Sequence, residues 1–297
     1  MSELAVLLVL ISATMHAGWN LLGKRTQPSL AFFTLAMLAG GLVFSPLLLV
    51  SPGYLSLPLS FWLILLLSGF FQAIYMAGLA WAYARGEVSM LYPLARALPV
   101  LMVPALSLHW FAGGDLGAGD WLAMGMIAIA SLLLPLGRLR DFRLARYLTP
   151  ALAFVLLAAI GTTGYTFTDK AAVDMMTNAL ATPFISGFHY MVLQAFASVL
   201  WMLPVVLLGR RESSAWRSLL SQSPVIYTLA GVLVLATYGL VLVAMAMTDE
   251  ISYLVALRQA SIPLGALAGI LILKESTTPL KWLALGLMTG GLVLIAY

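Results

Sequence analysis

Hydrophobic residues fill this chain in long blocks, and polar residues fall between the blocks or at isolated points inside them. Apolar stretches near the roughly 20 residues needed to cross a bilayer can be drawn at 4–23, 30–50, 60–84, 88–111, 119–137, 149–169, 183–208, 224–247, 251–273 and 279–297. The pattern predicts an all-α integral membrane protein with ten transmembrane helices. It also repeats. His16-Ala-Gly-Trp-Asn-Leu-Leu-Gly-Lys24 aligns with Thr162-Thr-Gly-Tyr-Thr-Phe-Thr-Asp-Lys170, Tyr75 with Tyr238, Glu87-Val-Ser89 with Glu250-Ile-Ser252, and Asp120-Trp-Leu-Ala-Met-Gly125 with Lys281-Trp-Leu-Ala-Leu-Gly286. A repeat on this scale decides the architecture before any single motif does. Five spans per copy is an odd number, so the copies enter the membrane in opposite orientations about a pseudo-two-fold axis. The expected organisation is a first five-helix repeat over 1–140 and an inverted second repeat over 147–297, joined by a basic linker at 138–146.

Composition agrees with this pattern. The 297 residues are 62% hydrophobic and 9% charged, with a mean hydropathy of +1.03, whereas a soluble domain is about 25% charged. Cysteine is absent, which excludes disulfides, thiol catalysis and cysteine-based metal sites. The first stretch carries Glu3 where a signal peptide has a basic flank and lacks a small-residue cleavage site, so it reads as a retained helix.

The basic residues explain the sequence pI of about 9.4 without a nucleic-acid partner. Connections on one face collect Lys24, Arg25, Arg85, Arg138, Arg140, Arg143, Arg146, Arg210, Arg211, Arg217, Lys274 and Lys281, and the other face has only Lys170. That asymmetry makes the first face cytoplasmic and places both termini outside. The longest charged connection is the linker between the repeats. Short connections elsewhere leave the interior of the bundle as the place where function resides.

Two basic residues lie well inside predicted spans: Arg96 in the fourth and Arg258 in the ninth. An arginine at the centre of a membrane helix costs about 2.5 to 3.5 kcal/mol on insertion scales, which makes such a group a site hypothesis. At about 1.5 Å rise per residue, Arg96 lies roughly 12 Å in from the cytoplasmic side and Arg258 roughly 10 Å in from the other. The acids Glu87, Asp169, Asp174, Asp249, Glu250 and Glu275 fall near span ends, so no carboxylate is expected at matching depth. A guanidinium fork suits a carboxylate, phosphate or phosphonate. The competing role for these arginines is to bind backbone carbonyls freed by Pro93, Pro99 and Pro263, or to snorkel toward an interface.

Other polar groups at mid-membrane depth fill out a candidate substrate site: His16, Trp19 and Asn20, Gln72 and Tyr75, Tyr92, Tyr165, His189 and Gln194, and Tyr238. Aromatic walls with a few convergent polar groups describe a small-molecule site, although each residue alone serves packing equally well. Helix four, with Pro93, Pro99 and Pro104, cannot keep every backbone bond, and such breaks are tolerated where they face protein or a cavity. Gly265-xxx-Gly269 and Gly286-xxx-Gly290 read as close helix contacts. Trp62, Trp110 and Tyr297 read as interfacial belt residues. His16, with a near-neutral unperturbed pKa, is the candidate for proton coupling.

The starts of the two halves, the Glu87-Val-Ser89 and Glu250-Ile-Ser252 turns, and the closing Leu273-Lys-Glu275 followed by Trp282 through Gly291 resemble the drug/metabolite transporter superfamily. Within it the resemblance is to the EamA-type ten-helix carriers, over essentially the whole chain. The first half departs from the second in having Gly114-Asp115 where the second has Lys274-Glu275. The resemblance implies small-molecule transport by alternating access, often export of amino acids or related metabolites. The chain is expected in a bacterial inner membrane, working by export or exchange, as a monomer or homodimer. Triose-phosphate translocators of the same superfamily use basic residues on the equivalent helices for anionic substrates, in line with Arg96 and Arg258. The alternatives are an exporter of cationic or apolar drugs or amines, and a membrane scaffold. No His-Glu-x-x-His, paired aspartates in adjacent helices or Gly-x-Ser-x-Gly occurs and the three histidines are isolated, so neither catalysis nor a cofactor or metal is expected.

Overall fold

A computed structural model describes residues 1–23, 29–85, 88–110, 116–141, 148–274 and 277–296, apart from the side chains of 17–23, 88–90, 92, 109–110 and 272–273. Expectations on Lys24, Arg25, Glu87, Gly114, Asp115, Arg143, Arg146, Glu275 and Tyr297, and on the side chains of Trp19, Asn20, Tyr92 and Trp110, lie outside the described residues. So does most of the linker.

The described residues form helices and no strand. In chain order these are α1 (Glu3–Gly23), α2 (Leu30–Phe44), α3 (Leu59–Tyr83), α4 (Val88–Trp110), α5 (Ala118–Leu133), α6 (Pro150–Leu180), α7 (Pro183–Leu208), α8 (Arg210–Leu220), α9 (Val225–Ala246), α10 (Ile251–Leu257), α11 (Ser261–Leu273) and α12 (Pro279–Ala296). A 3-10 turn, Arg258–Ala260, joins α10 to α11. Seven helical segments among the described residues are long and apolar enough to cross a membrane: Leu30–Leu49, Leu59–Tyr83, Pro150–Leu180, Pro183–Leu208, Val225–Ala246, Ile251–Leu271 and Pro279–Ala296. Glu3–His16, Pro93–Leu108 and Ala118–Leu133 are shorter apolar helices. The chain is a multi-pass membrane protein.

Local chemistry fixes several of the helix ends. The Ser29 hydroxyl accepts the Phe32 N–H at 3.1 Å and starts α2. The Glu250 carboxylate accepts the Ser252 N–H at 2.9 Å and starts α10, an N-cap in the sense of a side-chain acceptor for an orphan donor. Proline stands at the opening of α6 and α7, where its missing N–H costs nothing.

One boundary differs from the expectation in a way that matters. The sixth span was expected to end at residue 169, where Asp169, Lys170 and Asp174 look like a polar exit. Instead α6 runs to Leu180 and closes at Ala181, whose φ of 55° is left-handed. Lys170 and Asp174 neutralise each other across one turn at 2.7 Å, and the buried face continues through Ala172, Val173 and Met176. Asp169 is therefore inside the bundle.

The packing inverts that of a soluble protein. Leu63, Leu67 and Leu229 are exposed while Ser68, Gln72 and Thr237 on the same helices are buried, because lipid solvates apolar side chains and leaves polar groups to find partners within the bundle. α3 packs against α6 and α7, α9 against α1 and α2, α2 against α7, and α5 against α12. Small residues allow these approaches. A methyl added at Gly161 would lie 2.5 Å from the Tyr75 nitrogen, and one at Gly40 would lie 2.7 Å from the Gly231 carbonyl carbon. The expected contact at Gly286 is corrected: a methyl added there would meet nothing within 4 Å, whereas one added at Gly290 would lie 3.1 Å from Met126 Cε and one at Gly291 would lie 2.7 Å from the Ala123 carbonyl oxygen.

The connection after α7 folds as α8, whose Glu212 is buried and accepts the Ala31 N–H of α2 at 3.0 Å. A carboxylate at a helix N-terminus satisfies an orphan donor and opposes the helix dipole. Glu212→Ala is expected to lower stability by about 1 to 2 kcal/mol, read as a fall in the detergent-solubilised melting temperature, with Glu212→Gln losing less; equal melting temperatures for wild type and Glu212→Ala would refute the contact.

Candidate functional site

Among the described residues, an arginine-lined cleft and a buried carboxylate are joined by α6. The first is a cleft lined by Tyr75 of α3, Ala95, Arg96 and Pro99 of α4, Thr162 and Tyr165 of α6, and Val255, Arg258 and Gln259 from α10 and the 3-10 turn. Arg96 and Arg258 thus open onto one space. Its volume of about 10 Å³ is about that needed for one water molecule.

The broken backbone lies opposite helix four. α4 is continuous through Pro93, Pro99 and Pro104, although Pro99 supplies no N–H to the Ala95 carbonyl on the cleft wall. The irregular turn is Arg258–Ala260, two residues ahead of Pro263, which then sits in the first turn of α11 where no N–H is required. Arg96 reaches this turn. Its Nε donates to Gln259 Oε1 at 3.2 Å, and its Nη2 donates to the Arg258 carbonyl at 3.0 Å and to Ser261 Oγ at 3.1 Å. The carbonyl-binding role weighed for the arginines is thus present at Arg96, on the carbonyl of the other arginine.

Arg258 lies 5.7 Å from the centre of the Tyr238 ring, a cation–π distance. Tyr238 packs edge-on against Tyr165 at 6.0 Å, and Tyr165 against Tyr75 at 5.8 Å. A run of three tyrosines therefore backs the arginine. His16 of α1 is within electrostatic reach of both Arg96 and Arg258.

The second feature is Asp169, which has no exposed surface. Its Oδ1 accepts the hydroxyls of Ser68 on α3 and, at 2.7 Å, Tyr190 on α7; its Oδ2 accepts the hydroxyl of Tyr238 on α9. One carboxylate ties four helices. The expectation that acids stay near span ends and that none accompanies the arginines is corrected here: Asp169 acts electrostatically on Arg258 and shares Tyr238 with it. The reason is the extra length of α6. In the repeat alignment Asp169 falls opposite Gly23, so the symmetry carried no signal for it. The helical stripe Tyr165, Asp169, Ala172, Val173 and Met176 did.

The remaining candidates lie apart from the cleft walls. His189 is buried near the start of α7, with Nδ1 2.8 Å from the Ile185 carbonyl and its ring 5.6 Å from that of Tyr54. Gln194 is fully buried and Gln72 nearly so; neither lines the cleft.

No family model matches the chain, and no curated protein does. A solved crystal structure is similar over 98% of this chain and 98% of its own length, with a TM-score of 0.68 and 17% identity. That likeness is one of fold.

Removing the carboxylate leaves three buried hydroxyls without their acceptor. Asp169→Ala is expected to destabilise the folded protein by about 3 kcal/mol and Ser68→Ala by about 1 kcal/mol, measured as melting temperatures in one detergent. An Asp169→Ala protein as stable as wild type would mean that the carboxylate does not hold the helices together.

Proposed function

We infer that the chain is a secondary transporter that moves a small anionic or zwitterionic metabolite, such as an amino acid, organic acid or phosphonate-like compound, by alternating access. The observation that carries this reading is the convergence of Arg96 and Arg258 on one cleft at the centre of the bundle. Two guanidiniums against one carboxylate leave a net positive site, and a guanidinium fork in a low-dielectric setting binds carboxylate or phosphonate oxygens bidentately.

The same reading takes the architecture as ten spans in two inverted five-helix repeats. Packing supports it: exchanging each helix for its repeat partner turns the α3–α6 contact into the α9–α1 contact and α3–α7 into α9–α2, while α2–α7 and α5–α12 map onto themselves. Arg96 and Gln259, which hydrogen-bond to each other, are 163 residues apart, the offset that separates Tyr75 from Tyr238 and Glu87 from Glu250. A bond between repeat-equivalent positions belongs on the pseudo-two-fold axis. In alternating access the halves rock about such an axis and expose a central site to each side in turn.

The drug/metabolite transporter resemblance, the bacterial inner membrane and the outward termini belong to this reading, and catalysis does not. A thermal-shift screen of amino acids, organic acids and phosphonates on purified protein tests it directly, followed by counterflow in liposomes for compounds that stabilise. Arg96→Gln and Arg258→Gln should each weaken binding of a stabilising anion by about 10-fold or more. If both variants bind it as wild type does, or if only cationic or apolar compounds stabilise the protein, the anion reading is wrong and the drug or amine exporter replaces it.

A further inference from the structure

Asp169 is more than a tie between helices, because of where it sits and what it touches. It lies one turn beyond the cleft-lining Tyr165 on α6, about 6 Å along the axis. Its Oδ2 partner Tyr238 is the ring over which Arg258 lies. One tyrosine thus touches both the buried acid and the arginine that faces the substrate space.

Resting on the anion-carrier reading, we propose that Asp169 is the proton-binding site of the protein and that proton and anionic substrate bind together. With Asp169 ionised, the two guanidiniums and one carboxylate sum to +1; protonation of Asp169 leaves +2. An anion entering between Arg96 and Arg258 is opposed by the nearby carboxylate and favoured once that carboxylate is neutral, so each ligand promotes the other by the same factor. The proton adds to Oδ2, whose hydroxyl partner Tyr238 turns from donor to acceptor, as a tyrosine oxygen can, while Ser68 and Tyr190 go on donating to Oδ1. Asp169 is held by the hydroxyls of Ser68, Tyr190 and Tyr238, groups that serve either protonation state.

Tyr190 faces Asp169 from α7 and Tyr238 from α9, and α3 presents Ser68, with Tyr75 further along. Arg258 acts on it from the 3-10 turn, and Arg96 of α4 and His16 of α1 lie beyond, around the cleft. On α6 itself Lys170 and Asp174 pair with each other. Co-binding moves proton and anion in one direction, so a proton gradient directed into the cell drives uptake, opposite to the export that the family resemblance implies.

The test is calorimetric titration of the full chain in lipid nanodiscs with sulfoacetate, whose carboxylate and sulfonate are both ionised near neutral pH. Heats measured in two buffers of different ionisation enthalpy give the protons taken up per anion bound. Wild type is expected to take up as much as about one proton per sulfoacetate, Asp169→Asn to bind sulfoacetate with none, and Asp169→Glu and His16→Gln to keep the uptake. Uptake that persists in Asp169→Asn, or wild-type binding with no uptake at any pH from about 5 to 8, overturns the proposal. Should Asp169→Asn not fold, Tyr238→Phe keeps the carboxyl and removes its Oδ2 partner; an unchanged pH profile of proton uptake in that variant overturns it equally. If sulfoacetate and the other anions do not bind at all, the arginine-pair reading fails and co-binding fails with it. Infrared spectroscopy then decides the proton site alone: a pH-dependent carboxylic-acid band absent from Asp169→Asn supports it, and no such band in wild type removes it.

Discussion

A charged oxygen acid within a membrane bundle is tolerable only if the bundle is built around it, and much of this structure follows from that constraint. Asp169 draws Ser68, Tyr190 and Tyr238 from three other helices to itself. In lipid there is little hydrophobic force to bring helices together, because acyl chains solvate leucine as well as another helix does. Polar bonds and close backbone contact must therefore supply the specificity. The carboxylate provides the first, and Gly161 against Tyr75 provides the second along the same pair of helices.

The arginines follow a similar logic with a different outcome. Arg96 uses part of its fork on the Arg258 carbonyl and Ser261, where Pro263 has displaced the regular helix into a 3-10 turn. The aromatic surface of Tyr238 supports Arg258. Carbonyl binding and the proposed substrate binding, which look like rival explanations when each arginine is taken alone, are compatible on this cleft wall, because Arg96 meets the Arg258 carbonyl while both arginines line the cleft. An arginine fixed by its neighbours on one side is pre-oriented for an anion on the other.

Much of this was legible in the residues. Ten apolar blocks and an aligned second half were enough to foresee long membrane helices, and burial cost singled out Arg96 and Arg258, with Tyr75 and Tyr165 beside them. Asp169 was hidden for a physical reason: a charge followed by Lys170 and Asp174 has the composition of a membrane exit, and only the periodic stripe through Met176 says that the helix continues. The continuation needs the Lys170–Asp174 pair to neutralise itself, a contact that spacing allows but does not require. His189 had the opposite problem. Its position inside an apolar block suggested a central role, whereas a tilted ring contact with Tyr54 places it against the segment between α2 and α3.

The bond from Glu212 to the start of α2 has a mechanical meaning. α8 is the direct continuation of α7, separated from it only by Gly209, so a carboxylate on α8 latches the first turn of α2 to the last turn of α7. The two helices also pack on each other. They are thereby joined both along their sides and at one end, like two staves with a cleat across the tip, and any tilt of one at that surface is transmitted to the other as a single lever.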